Sequence, residues 1–196
     1  MKGFFLTTSN MGLKHFKKGC LLIAEPSLIG DNIFNRAIIL LAENNANGAL
    51  GFILNKPLDL TVQDFIPQID SSFKIYNGGP VEQDNLYFIH TKPELIPDSQ
   101  EISDGIYWGG QFELVINLIN QKLIQKDDIR FFLGYTGWSK NQLEDEIKEK
   151  SWLIANNSNQ KNILSIKSKN MWKQKITEIG GNYLIWSNLP EDPLLN

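Results

Sequence analysis

Short apolar runs alternate with polar breaks bearing glycine or proline along this chain, and the length of each run separates strands from helices. Gly19-Cys20-Leu21-Leu22-Ile23-Ala24 is continuously apolar apart from its glycine and is stopped by Pro26. Arg36 to Glu43 encloses Ala37-Ile38-Ile39-Leu40-Leu41-Ala42, and Ala49 to Asn55 encloses Leu50-Gly51-Phe52-Ile53-Leu54, closed by Pro57. Runs this short, bounded by breakers, predict buried strands. Between the last two lies Asn44-Asn45-Ala46-Asn47-Gly48. Asn-Gly supplies positive φ at low cost, so this segment predicts a hairpin. Further strands are predicted over Phe73–Tyr76, Asn85–His90, Ile129–Gly134 and Ser151–Ala155, with an edge strand over Tyr183–Trp186. Asn77-Gly78-Gly79-Pro80 reads as a turn, and 91–110, with Pro93, Pro97, Gly105, Gly109 and Gly110, reads as a loop.

Helices show a different period. Phe112, Val115, Ile116, Ile119 and Leu123 recur at three and four residues, the mark of a core-facing amphipathic helix. Thr61 to Phe65 predicts a short helix ended by Pro67. Ser139 to Glu149 predicts a helix with Ser139 as N-cap and Gln142 closing a capping box, and with Trp138 and Leu143 forming a hydrophobic staple. Its remaining face, Glu144, Asp145, Glu146, Lys148, Glu149 and Lys150, reads as mostly solvated surface. Ser168 is expected to cap a last helix carrying Trp172, Ile176 and Ile179 and stopped by Gly180-Gly181.

Mixed strands and helices with at least one antiparallel hairpin predict an α/β (mixed α+β) fold. The expectation is a single compact domain over residues 16–187, with a mixed, partly antiparallel sheet or small barrel packed against helices. Residues 1–15 and 188–196 are read as tails. With 196 residues and roughly 150 per domain, one domain is the arithmetic expectation. Net charge is −3 and 21% of residues are charged, which excludes the disordered class. No apolar run approaches the ~18 residues of a transmembrane helix, so no membrane association is expected. Met1 to Leu6 opens like a signal peptide, but the apolar run stops at Thr7 and no small-residue cleavage site follows, which points to the cytoplasm.

At this point several blocks are recognisable. Gly19 to Pro26, Phe34-Asn35-Arg36-Ala37-Ile38 and Asn47 to Pro57 resemble the YqgE/AlgH family of bacterial proteins. Gly78-Gly79-Pro80, Leu86 to His90 and Ile102-Ser103-Asp104-Gly105 continue the resemblance. Gly134-Tyr135-Thr136-Gly137-Trp138, Gln142-Leu143-Glu144 and Trp152-Leu153 complete it, in order, from about Gly19 to Gly180. Two positions depart from the family pattern. Asn44 stands where a histidine is frequent, so no activity of this chain rests on a histidine there, and Asn141 stands where glycine is usual. The resemblance implies a compact mixed α/β domain in a bacterial cytoplasmic protein. It also implies a label as transcriptional regulators, without a catalytic mechanism that transfers residue by residue.

Candidate chemistry is sparse. His15, His90 and Cys20 are the only histidines and cysteine and show no ligand spacing, so no metal and no cofactor is expected. There is no Gly-x-Ser-x-Gly elbow, and Cys20 lies inside an apolar run where its thiol would be protonated and inert. Asn77 to Pro80 lacks the Lys-Ser/Thr of a phosphate loop. Gly134 to Ser139, read as a strand-to-helix turn, would offer at most a weak anion site. The best remaining site is a set of polar residues at strand ends, Arg36, Glu43, Asn55, Tyr135 and Glu144, because ligands gather at strand ends of α/β sheets. A structural network of caps and salt bridges would use the same residues.

The leading functional expectation is a non-enzymatic binding or regulatory protein with a protein or small-molecule partner. The alternative is a small-molecule enzyme using the strand-end cluster. Direct DNA binding is disfavoured. The basic residues are 17 lysines and only two arginines, Arg36 and Arg130, so tight nonspecific nucleic-acid binding is not expected.

Overall fold

The apolar runs become strands in a computed structural model that describes residues 16–28, 30–69 and 73–188. Of the expected tails, residues 1–15 and 189–196 lie outside the described residues, as does His15. The strands are β1 (Cys20–Ala24), β2 (Ile38–Asn45), β3 (Gly48–Ile53), β4 (Pro57–Thr61), β5 (Lys74–Asn77), β6 (Val81–His90), β7 (Gln100–Ser103), β8 (Ile106–Trp108), β9 (Ile129–Ser139) and β10 (Trp152–Asn156). The helices are α1 (Phe112–Asn120), α2 (Gln142–Lys148) and α3 (Met171–Ile179). Short 3-10 turns connect them.

The strands run β10-β1-β2-β3-β9-β6-β8-β7, each neighbour antiparallel. The β4–β5 pair joins the first half of β9, with β5 parallel to it. The result is one mixed, mostly antiparallel sheet, and it is not closed into a barrel. Strand β9 holds its two halves together. Phe131, Phe132 and Leu133 pair with β5, and Thr136 to Ser139 pair with β3.

Both faces of β1–β3 are covered, which is why those runs read as continuously apolar. On one face Leu21, Ile23, Leu40 and Phe52 pack against Trp172 and Ile176 of α3. On the other, Leu22, Ile39, Leu41 and Ile53 pack against Leu143 and Ile147 of α2. Helix α1 sets Val115 and Ile119 against Ile75, Phe88 and Phe131 at the far end of the sheet. The predicted hairpin forms through Asn45 and Gly48, with the Asn47 N–H on the Asn45 Oδ1 at 2.9 Å.

Gly78 does more than turn the chain. A Cβ on Gly78 would sit 2.1 Å from the Gly134 carbonyl oxygen, so only glycine fits where the β5–β6 connection crosses β9. Its N–H donates to Leu133 O at 2.8 Å and its carbonyl accepts from the Ile53 N–H at 3.0 Å. Those groups are spent inside the sheet.

Five expectations are corrected. The stretch 91–110 is not all loop, because β7 and β8 lie within it. Their apolar signal is short because β7 sits at the sheet edge. Gly134 to Ser139 is not a turn. It continues β9, and its backbone is engaged by β3 and β6, which removes the weak anion site imagined there. Helix α2 starts later than Ser139, with Asn141 as N-cap at φ 66°. Ser139 and Gln142 still meet, the Ser139 N–H donating to Gln142 Oε1 at 3.0 Å. Tyr183 to Trp186 is not an edge strand but part of a 3-10 helix, Gly181–Asn188, with the two rings edge to face at 4.8 Å. Ser168 likewise opens a 3-10 turn, Ser168–Asn170, that leads into α3.

Candidate functional site

The five strand-end residues do not form one site. Arg36 and Asn55 do meet. Asn55 follows β3, and its Oδ1 accepts the Ile38 N–H at 2.8 Å while its Nδ2 donates to the Arg36 carbonyl at 2.8 Å. That pair of bonds latches the start of β2 to the end of β3. The Arg36 guanidinium lies over the Trp172 ring, 5.0 Å from its centroid. Glu43 sits opposite Leu50 across a β-bulge, and Leu50 in turn pairs with Gly137 of β9. Glu144 is in the first turn of α2, with no bond to the other four. The structural reading therefore accounts for Arg36 and Asn55.

Tyr135 keeps different company. It pairs with Val81 in the ladder, and its ring meets Tyr87 edge to face, centroids 5.5 Å apart at 84°. Between Val81 and Leu86 the register of β6 shifts, and this irregularity presents Glu82 with φ 50° beside the two rings. Glu82 Oε2 accepts from Asn85 Nδ2 at 2.9 Å and from the Tyr87 hydroxyl. The Tyr87 hydroxyl, with the Asn85 amide behind it, holds the Glu82 carboxyl below the usual carboxylate range. Burial, with the Glu82 charge added, pushes the Tyr87 and Tyr135 hydroxyls up. The corner is thus an ionised carboxylate framed by two protonated phenols. Sequence reading missed Glu82, Asn85 and Tyr87. The polar run Glu82-Gln83-Asp84-Asn85 was their signal, a break in alternation that marks a bulge rather than the strand's start.

Other chemistry-bearing groups are inward. His90 is fully buried, stacked on Tyr107 at 6.0 Å, with its Nδ1 accepting the Lys92 N–H at 3.2 Å. Burial depresses its pKa to about 4, against the weaker opposing pull of the Gly109 backbone and Glu94. Arg130 is buried too. It donates to the carbonyls of Leu54 at 2.7 Å, Leu164 and Ile166, and lies over Tyr76 at 4.6 Å. Cys20 is buried and unpaired. Among the described residues no group of three or more His, Cys, Asp or Glu is placed to hold a metal ion. No helix there is long and apolar enough to cross a membrane.

Glu146 was read as solvated surface, and that is corrected. Its Oε2 accepts both the Trp138 and the Trp152 indole N–H at 2.8 Å, so it is half-buried and structural.

Comparison with known proteins places this geometry in a family. The AlgH-like family model matches residues 21–184. The UPF0301 proteins of Chlorobaculum parvum and Cytophaga hutchinsonii are each 41% identical over 181 residues. The first match covers 92% of this chain and 96% of the relative, the second 91% and 98%. A crystal structure of a Corynebacterium diphtheriae protein superposes with a TM-score of 0.73 at 18% identity, covering 91% of this chain and 95% of that one. The solution structure of the AlgH protein from Pseudomonas aeruginosa gives 0.69 at 22% identity, covering 92% and 98%. These two show the shared fold, and the family match with the 41% identities shows that this chain belongs to the AlgH-like, UPF0301 family.

Proposed function

We propose that this chain is a non-enzymatic binding or regulatory protein of the bacterial cytoplasm, with the Glu82–Tyr87–Tyr135 corner as its binding surface. The observation that carries this reading is the corner's geometry: at the β6 irregularity Glu82 accepts from Asn85 Nδ2 and the Tyr87 hydroxyl, beside the edge-to-face Tyr87–Tyr135 pair. Glu82 is driven toward its ionised form and both tyrosines toward their protonated forms. A general acid or base works best when it titrates near the operating pH. These three move away from neutrality, which suits recognition and not proton transfer. The label of the family as transcriptional regulators fits a role exerted through a bound partner or small molecule. Both arginines lie over aromatic rings of the protein itself.

The test compares the wild-type chain with a Glu82→Gln/Tyr135→Phe variant. Each is used to capture ligands from native lysate, and the retained metabolites and proteins are identified by mass spectrometry. The expected result is a set retained by wild type and lost by a variant that remains folded. Incubation of both chains with a metabolite extract supplies the opposite outcome. A time-dependent conversion by wild type that the variant lacks would overturn the reading and establish a small-molecule enzyme.

A further inference from the structure

An open cavity of about 600 Å³ lies at the C-terminal end of α1. Its apolar wall is Phe73, Ile119 and Ile124, three buried side chains of the core cluster under that helix. Phe73 meets Phe131 edge to face, centroids 6.1 Å apart at 86°, which holds its ring in place. The polar part comes from the turn that ends the helix. The Leu123 N–H donates to Leu118 O and the Lys122 N–H to Ile119 O, each at 2.9 Å, the paired bonds of a Schellman motif. That motif returns Ile124 to the core and leaves Lys122 at φ 59°, the left-handed position usually given to glycine. Lys122, Lys126 and Asp127 line the same cavity and are exposed. Among the described residues neither lysine has a hydrogen bond or ion pair. The next carboxylate, Asp128, is spent on Lys92 at 3.2 Å and on the Gln125 N–H at 2.9 Å. The cavity thus carries two cations against one anion, on a chain whose net charge is −3.

We propose that this cavity binds a small monocarboxylate with an apolar body, its ring or chain against Phe73, Ile119 and Ile124 and its carboxylate facing Lys122 and Lys126. The volume is that of small-molecule sites, roughly 300–1,000 Å³, whose walls are mostly apolar with a few polar groups that orient the ligand. A neutral apolar molecule would cover the wall and leave both ammonium groups without a partner. A cation is repelled by them. A second negative charge meets Asp127 and the carbonyl end of α1, which carries partial negative charge, so a doubly charged phosphate gains less than a carboxylate. A head without a body, such as acetate, forgoes the apolar contact. The backbone gains nothing from a lysine at a left-handed position that glycine takes without steric cost. What Lys122 adds there is its charge.

Titration of the 15N-labelled full chain with phenylbutyrate, its neutral amide, phenylbutyl phosphate and acetate tests this. The expected result is saturable shifts at the amides of Phe73 and 119–127 with phenylbutyrate, and weaker binding of the other three. Lys122→Gly suits the left-handed backbone and should fold at least as well as wild type by urea midpoint, yet bind phenylbutyrate more weakly. Lys126→Gln should weaken it likewise, and the double variant by roughly tenfold, about 1.4 kcal/mol. Equal binding of the amide would overturn the anionic head, and tighter binding of the phosphate would overturn the single charge. Unchanged affinity in the double variant would overturn the role of the lysines. No saturable shift at these amides with phenylbutyrate would overturn the proposal whole. None of these residues belongs to the tyrosine corner, so either site can fail without the other.

Discussion

Trp138 and Trp152 meet edge to face, ring centroids 6.1 Å apart at 84°, and both indole N–H groups donate to the same Glu146 oxygen. The two rings come from β9 and β10, and the carboxylate comes from the helix between those strands. One acidic side chain thus pins α2 onto the sheet and satisfies two indoles that are almost fully buried. Gln142 Nε2 holds the other Glu146 oxygen at 3.0 Å and fixes the rotamer.

Glu146→Ala leaves two buried indole donors without an acceptor. Hydrogen bonds to a charged group are worth about 1.5–3 kcal/mol each, so the loss expected for the two is about 3–6 kcal/mol. Glu146→Gln keeps one acceptor and should lose less. Urea unfolding midpoints measure both, and tryptophan emission should shift to the red in the alanine variant. Trp138→Ala, which removes a ring only 6% exposed, should cost about 3–5 kcal/mol. A change within about 0.5 kcal/mol for either alanine variant would show that the triad is not structural.

Gly19 enters β1 at φ 87°, and a Cβ there would stand 2.2 Å from Ser103 Oγ of β7. Nearby, Lys18 Nζ donates to Glu101 O at 2.9 Å, so the sheet's edge strand folds back toward β1 at this point. Gly19→Ala should destabilise by about 1–3 kcal/mol through strain and collision together. Adding Ser103→Gly removes the collision but not the backbone strain. A double-mutant cycle should therefore show partial rescue. Simple additivity of the two changes would show that the side chains do not meet.

How much of this was legible follows from burial. Strands β1, β2 and β3 are covered on both faces, so their sequences are unbroken apolar runs that declare themselves. Strand β7 has one buried apolar residue, Ile102, and three polar neighbours, which a linear pattern cannot separate from loop. The end of β9 was hidden by Gly134 and Gly137, which in a linear reading signal a turn. In the fold, a Cβ on Gly134 would approach Val81 O to 2.6 Å, so that glycine serves strand proximity. The strand-end set includes Tyr135 but not its neighbour Glu82, because the two come together at a β6 irregularity that no local spacing encodes. Glu146 was misread for the same reason. Its helical period places it beside solvated neighbours, and the two indoles that claim it arrive from other elements.

His90 gives a pH signature with a definite sign. Its folded pKa is depressed to about 4 from 6.5, because burial disfavours the imidazolium. Between those values the unfolded chain binds a proton that the folded chain does not. Stability from this group is complete above the unfolded pKa and is lost as pH falls toward 4. The loss amounts to about 2–3 kcal/mol. Urea midpoints across that window should fall in wild type and fall less in His90→Phe. Parallel curves for the two proteins would show that another group governs acid unfolding.

The final prediction concerns duplex DNA. Nonspecific affinity comes from clustered cations that release counterions from phosphates, and it collapses with salt. Arginine is the better phosphate reader, and this chain commits both of its arginines to itself. Arg130 is buried on three carbonyls and a ring, and Arg36 lies over Trp172. The lysines around α3 are reduced as a cluster as well. Lys175 is 3% exposed and paired with Glu178 at 2.7 Å, which leaves Lys167, Lys169 and Lys173 facing solvent near that acidic partner. Lys18 is engaged by the Glu101 carbonyl. Fluorescence anisotropy with random duplex at about 150 mM salt should therefore show no submicromolar binding, well short of the specific range of 10⁻⁸–10⁻¹¹ M. Tight, salt-steep binding that falls when Lys167, Lys169 and Lys173 are replaced by alanine would sink this prediction. It would also favour α3 over the tyrosine corner as the proposed binding surface.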